Sequence, residues 1–266
     1  MKIRSVLFLV SSIAIFAFWG SKLFAMSGGK VNGKRWGEVK KEERKVQGSF
    51  SGVVVKSGID IFFSIGNEEK VTVEADEKAL DKIITEVRGN DLYVYVDGNL
   101  RNVNVMKVYI TAKILENVDC SSGSDFYLET PLKSEKLRLR IRSGSDFNGE
   151  KGVETVSLDL DASSGSDTRI NLTTKSLLVD ISSGSDVMIT GSAESLDLNA
   201  SGGSDFKGRD LKAGNCKINA SGASDVNIFA TGEVEIEASG ASDISLKGSP
   251  SVRRQKVSGA ANVEID

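Results

Sequence analysis

No histidine occurs among the 266 residues of the chain. That absence removes the Ser-His-Asp triad, the Cys-His dyad and histidine-rich metal centres. No phosphate loop or dinucleotide fingerprint is present either. The glycines sit at strand corners, not between a strand and a helix. The formal net charge is only −3, so nothing in the overall balance recruits nucleic acid. Helical periodicity is scarce as well. ADEKALDKIITEV, from Ala75, is the one stretch that predicts a helix, of two or three turns. Cysteine is limited to Cys120 and Cys216.

What the chain has instead is one small corner, written eight times. The copies read SSGSD at Ser121, RSGSD at Arg142, SSGSD at Ser163 and Ser182, SGGSD at Ser201, SGASD at Ser221 and Ser239, and SGAAN at Ser258. Their last residues are Asp125, Asp146, Asp167, Asp186, Asp205, Asp225, Asp243 and Asn262, spaced by 21, 21, 19, 19, 20, 18 and 19 residues. A period near twenty marks a stacked solenoid, in which no unit can bury its apolar face alone.

Before each corner the residues alternate. Leu137, Leu158, Leu177, Leu196, Cys216 and Val234 lie five positions ahead of it. Val118, Leu139, Leu160, Val179, Leu198, Ile218 and Ile236 lie three ahead. Cys120, Ile141, Ala162, Ile181, Ala200, Ala220, Ala238 and Val257 lie one ahead. The positions between them are mostly polar. This is a strand with one buried face. A second, shorter strand follows the corner, opening on Phe126, Phe147, Val187, Phe206, Val226 and Ile244.

The distance from the first inward position to the acidic residue is constant, and all length variation falls on the far side of the coil. Equivalent strands must therefore pair in parallel, about 4.8 Å apart. The fold class is all-β, a parallel β-helix, right-handed by the general rule for parallel crossovers. It should have about eight regular coils of 18–21 residues, roughly 40 Å of rod, plus an irregular N-terminal cap. The domains read as a secretory signal at 1–25, a flexible basic leader at 26–45 and one β-helix domain at 46–266. Within that domain, 46–117 forms cap and first coils, and 118–266 forms the regular repeats. Lys2 and Arg4 precede an apolar run from Val6 to Trp19, too short for a comfortable span. No cysteine follows it, which excludes a lipoprotein anchor, and the mature chain should have no transmembrane span; a retained N-terminal anchor is the alternative. The register sets Cys120 and Cys216 five coils apart, roughly 24 Å, against the ~7 Å limit for a disulfide. Both read as buried free thiols.

The candidate site is the corner ladder: Asp125, Asp146, Asp167, Asp186, Asp205, Asp225 and Asp243, with Ser124, Ser145, Ser166 and Ser185. Three readings compete. In the first, Asp caps its own turn and serine hydroxyls ladder between coils. In the second, stacked carboxylates bind calcium, although the nine-residue G-G-x-G-x-D period of calcium rolls is missing. In the third, the ladder docks a glycan or protein. A carbohydrate-active enzyme is the alternative from another class, but near-identical residues from coil to coil suit a ladder better than a catalytic cleft.

The stretches Phe50-Ser-Gly-Val-Val-Val, Ser57-Gly-Ile-Asp-Ile-Phe-Phe, Val71-Thr-Val-Glu-Ala-Asp-Glu and Leu92-Tyr-Val-Tyr-Val, followed by the Ser-Gly-Ser-Asp corners, carry a resemblance. With them the chain resembles the bacterial family of putative auto-transporter adhesins, named for the head GIN domain. The resemblance implies a β-helix akin to pectin lyases without their catalytic residues, and a role in adhesion. Asp266 directly follows the last coil, so any surface attachment is expected to be indirect or N-terminal. The expected protein is exported, to the periplasm, the outer membrane or the outside. It is non-enzymatic and without cofactor, meets a protein or glycan of the cell envelope, and has the option of homo-oligomers.

Overall fold

The computed structural model describes residues 37–266, which form one unit. The expected signal segment and most of the leader lie outside the described residues. The chain forms a β-solenoid of about seven turns, close to the eight coils expected. Its strands are β1 (Val39–Arg44), β2 (Gly52–Val55), β3 (Asp60–Ile65), β4 (Lys70–Asp76), β5 (Ile83–Arg88), β6 (Asp91–Val96), β7 (Met106–Ala112), β8 (Asn117–Cys120) and β9 (Asp125–Leu128). They continue as β10 (Leu132–Arg142), β11 (Asp146–Ser163), β12 (Asp167–Ser182), β13 (Asp186–Ala200), β14 (Asp205–Ala220), β15 (Asp225–Ala230), β16 (Glu233–Ala238), β17 (Asp243–Gly248), β18 (Ser251–Val257) and β19 (Asn262–Ile265). One short helix, α1 (Glu77–Leu80), interrupts them.

The alternating columns stack in the register their spacing dictates. Leu139 pairs with Leu160, Leu160 with Val179, Val179 with Leu198 and Leu198 with Ile218, always in parallel. All five side chains are fully buried. Each removes its apolar surface from water, worth roughly 1.5–3 kcal/mol per side chain, and only the neighbouring coils supply the cover. The length variation lies where expected. Register shifts at Gly149/Val153, Met188/Gly191 and Gly208/Lys212 fall on the far side of the coil from the corner; one further shift, at Val234/Glu235, lies in the strand before the last corner. The strand after the corner is not short, however. In β11 to β14 it runs on through that variable edge as one continuous strand, because parallel neighbours on both sides hold its backbone.

The first four corners turn on two consecutive left-handed residues, as at Ser122 (φ 62°) and Gly123 (φ 70°). Serine pays for that backbone in strain. The later copies place glycine at the same point, Gly202, Gly222, Gly240 and Gly259.

Past the corner, volume is balanced within several coils. Phe147 is followed two residues on by Gly149, and a Cβ there would meet the Phe147 ring at 2.9 Å. Phe206 and Gly208 repeat the arrangement. Coils with a smaller first residue carry isoleucine second: Thr168 with Ile170, Val187 with Ile189. Thr168 is 1% exposed, and its hydroxyl has no hydrogen-bond partner. It stands between Phe147 and Val187 in an otherwise apolar column. Thr168→Val keeps the shape and removes the orphaned group. It should stabilise the protein by about 1 kcal/mol, a rise in melting temperature of about 2–4 °C. A lower melting temperature in the variant would mean that the hydroxyl is satisfied after all.

The N-terminal third departs from chain order. β2 lies between β6 and β8, in parallel with both, and β3 lies between β7 and β9. The segment holding β2 and β3 therefore sits inside the stack, and the later strands β6 and β7 lie outside it. Antiparallel strands then close that end: β4 pairs with β7, β1 with β4, and β5 with β6. Two expectations are corrected here. The leader was expected to be flexible to residue 45, but Val39–Arg44 is β1, held by β4 and by salt bridges such as Lys41–Glu74 at 3.1 Å. The helix expected from Ala75 is one turn only. Its second half, rich in β-branched Ile83, Ile84, Thr85 and Val87, instead becomes β5 and pairs with β6.

Candidate functional site

The corner ladder separates into two lines that face opposite ways. Ser124, Ser145, Ser166 and Ser185 are fully buried, as are Ser204, Ser224 and Ser242. None is available to a ligand, which removes the serines from the interaction reading. They satisfy one another and the backbone. The Ser124 amide donates to Ser145 Oγ at 3.1 Å, and the Ser166 amide to Ser185 Oγ at 3.2 Å. From Ser204 onward the hydroxyl instead donates within its own corner, to the carbonyl three residues back: Ser201 O at 2.9 Å, Ser221 O at 2.8 Å and Ser239 O at 3.0 Å.

The aspartates face outward. Asp125, Asp146, Asp167, Asp186 and Asp205 are half-buried, and Asp225 and Asp243 are exposed. Adjacent rungs pair directly in register from Asp125 to Asn262. Asp60, in the shortened corner Lys56-Ser-Gly-Ile-Asp60, adds a rung before Asp125, since Ile61 pairs with Phe126. The expectation that Asp caps its own turn is corrected by the bonds present. Asp125 Oδ1 accepts from the Asp146 amide and Asp146 Oδ1 from the Asp167 amide, each at 3.3 Å, so the first rungs tie coil to coil. In later coils that amide goes to the serine carbonyl of the coil before, as in Asp186 N to Ser166 O at 3.0 Å.

Lys207 reaches Asp186 at 2.7 Å and Asp205 at 3.6 Å, which relieves part of the repulsion. Among the described residues, no group of three or more acidic or cysteine side chains is arranged to hold a metal ion. A linear row offers each point too few oxygens for a cation that takes six to eight.

Crowding still marks the row. Asp146 is held above the ordinary carboxylate range, first by burial and then by Asp125 and Asp167; Asp225 behaves likewise beside Asp205 and Asp243. A raised folded pKa contributes stability that is fully present below the unfolded value and is lost as pH rises through the folded one. Asp146→Asn keeps the acceptor for the Asp167 amide and removes the charge. It should raise the melting temperature at pH 7 by about 1 °C, a small gain because water still reaches and screens the half-buried group, and change nothing at pH 3. An equal gain at both pH values would show that charge is not the cause.

Two shallow grooves cross the outer strands. The larger, about 560 Å³, runs over β12, β13, β14, β16 and β18. Leu178, Asp197, Lys217 and Glu235 line it with Ser195 and Asn215, a set that does not repeat from coil to coil. Its charges are partly paired: Lys217 with Asp197 at 3.8 Å and Arg253 with Glu233 at 3.0 Å. The smaller, about 390 Å³, lies at the variable edge between Leu132 and Thr173. Neither was foreseen, since both arise where coils differ. At the N-terminal end Phe62 stacks between Tyr109 and Tyr127, at 5.2 and 5.1 Å. Lys41 covers Tyr109 at 4.8 Å, and Tyr109 donates to Glu74 at 2.7 Å. The two thiols are free and buried, and burial pushes both up to about 12, far from a nucleophile's range.

A family model described as "Putative auto-transporter adhesin, head GIN domain" matches residues 49–250. Similar crystal structures include a putative adhesin from Parabacteroides distasonis, with TM-score 0.79 and 19% identity over 86% of this chain and 97% of that one. Another is a putative adhesin from Parabacteroides merdae, with TM-score 0.77 and 22% identity over 88% and 97%. A third is a putative lipid binding protein from Parabacteroides distasonis, with TM-score 0.76 and 17% identity over 86% and 96%. At these identities the likeness shows the fold. No curated protein matches the chain.

Proposed function

Since the chain belongs to the family of putative auto-transporter adhesins with the head GIN domain, we propose that it is an exported, non-enzymatic binding scaffold of the cell envelope. Its partner, a glycan or a protein, is held on outward polar columns. One observation carries this reading: outward side chains repeat in register over many coils. The Asp row is one such column, and Asp180, Asn199 and Asn219 form another, bonded coil to coil at 2.8 Å. A repeating partner meets a repeating surface at many weak points, and their effect multiplies without any deep pocket. Catalysis needs a few singular groups converging on a reacting atom.

The larger groove favours a carbohydrate-binding form of the same reading, because hydroxyl, amide and charged groups flank exposed Leu178 there. Binding of the mature protein to arrayed bacterial polysaccharides tests both forms. Asp197→Lys should weaken retention of a groove ligand, and Asp186→Lys that of a ligand on the Asp row. Release of reducing sugar from any retained polysaccharide would overturn the non-enzymatic reading. Retention unchanged in both variants would overturn the assignment of the surfaces.

A further inference from the structure

The two ends of the stack are finished differently. Antiparallel β1, β4 and β5 finish the first end together with α1, where Ala79, Leu80 and Ile83 are buried. At the last end, among the described residues, β18 pairs only with β16 and β19 only with β17. Their outer edges leave a row of backbone donors and acceptors open, a template for another strand. The side chains that continue the apolar columns are uncovered there. Val252, Val257 and Ile265 are 38%, 42% and 41% exposed, while their partners one coil below, Val234, Ala238 and Leu246, are at 0–2%. Charge is divided between the two strands. β18 carries Arg253, Arg254 and Lys256; β19 carries Glu264, with Asp266 beside it. Arg253 and Arg254 lie on Glu233 and Glu237 of the coil below, at 3.0 Å each, and Asp266 is 4.0 Å from Lys247, so Lys256 and Glu264 are the charges most open to a second copy.

We infer that a second copy of this chain docks on this edge, end to end about a two-fold axis, with β18 of one protomer lying on β19 of the other. Pairing β18 with its own copy would bring like charges together, Lys256 among them, with nothing acidic on the facing strand. The crossed arrangement sets plus against minus, and the two-fold repeats that contact on the other side. A head-to-tail stack would lay this end on the first end, where β1 and β5 also keep one open edge each but the apolar columns are already covered and β1 presents mostly charged side chains. The two-fold contact uses the last end of both protomers and so closes at two chains. Docking covers Val252, Val257 and Ile265 and pairs the open backbone edge.

Sedimentation of the full-length mature chain at micromolar concentrations tests this, and a dimer is expected. Lys256→Glu alone and Glu264→Lys alone should each weaken it about tenfold, since every pair is lost twice. The double exchange should restore it. Val257→Lys with Ile265→Lys, which plants charges on the edge, should give a monomer that keeps its β circular dichroism. Should that variant unfold, mixing Lys256→Cys chains with Glu264→Cys chains provides the second measurement. Oxidation should join residue 256 to residue 264 across protomers and leave like chains unjoined. A monomeric wild type, a dimer tightened by Lys256→Glu alone, or a dimer that forms only once residues 26–36 are deleted would each overturn the inference. The last result would mean that the chain's own segment covers the edge.

Discussion

Val179→Asp yields no folded protein. Val179 is fully buried, with Leu160 and Leu198 directly above and below it. A carboxylate there has no cation within the column and no path to water. An unpaired buried charge costs several kcal/mol even after the site relaxes, against a total stability of about 5–15 kcal/mol for a domain. The solenoid cannot evade the cost by letting one coil go, because each coil is the cover for two others. Loss of the β circular dichroism signal and accumulation in the insoluble fraction are the expected readouts. Val179→Leu, which stays apolar and matches the leucines on either side, should fold. A soluble, cooperatively melting Asp variant would refute the pairing of Leu160, Val179 and Leu198.

Gly191→Ala is the second change with a large expected effect. Gly191 has φ of 105°, and a Cβ there would overlap the backbone carbonyl oxygen of Leu172 in the coil below. Backbone cannot swing aside as a side chain can, so the coils must part or the register must slip. The loss should exceed the roughly 1–2 kcal/mol of a left-handed backbone alone. Gly184→Ala separates the two contributions. It too is left-handed, at φ 71°, but nothing lies within 4 Å of its Cβ position. Chemical denaturation should show a clearly larger fall for Gly191→Ala than for Gly184→Ala. Equal falls would mean that the coils are not in the close contact described.

The regular coils could be read from the sequence because two signals agree in them. Alternation gives each strand its inward face, and the constant step from Leu137, Leu158 and Leu177 to their corners locks the register between coils. No such pair of signals exists before Asn117. The placement of β2 between β6 and β8 depends on long-range pairing that no local pattern encodes. The stretch from Ala75 fits a helix and a strand equally by periodicity, and the antiparallel partner β6 decided for strand over its last part, from Ile83. At the site, the outward row of Asp125 to Asp243 was legible because it stands one place before an inward residue. The burial of Ser124 and its equivalents was not. Counting back two places from inward Phe126 would have found it, but a small polar residue in a Ser/Gly turn reads as exposed. The grooves were illegible for a related reason: they form from differences such as Leu178, Asp197 and Lys217 within a column that otherwise looks uniform.

The placement of β2 and β3 sets a rule for when the protein can begin to fold. A nascent chain appears N-terminus first, so residues 52–65 emerge early, yet their neighbours are β6 and β7 on one side and β8 and β9 on the other. Those flanking strands end at Leu128. Nearly half the chain must be out before the founding coil is covered on both faces, and until then Val53, Val55, Ile61 and Phe63 have no interior to enter. Beyond Leu128 the task changes. Each further stretch of about twenty residues finds a finished template and adds to it as soon as it is released. The strand order thus calls for one concerted start, followed by piecewise growth as the rest of the chain emerges.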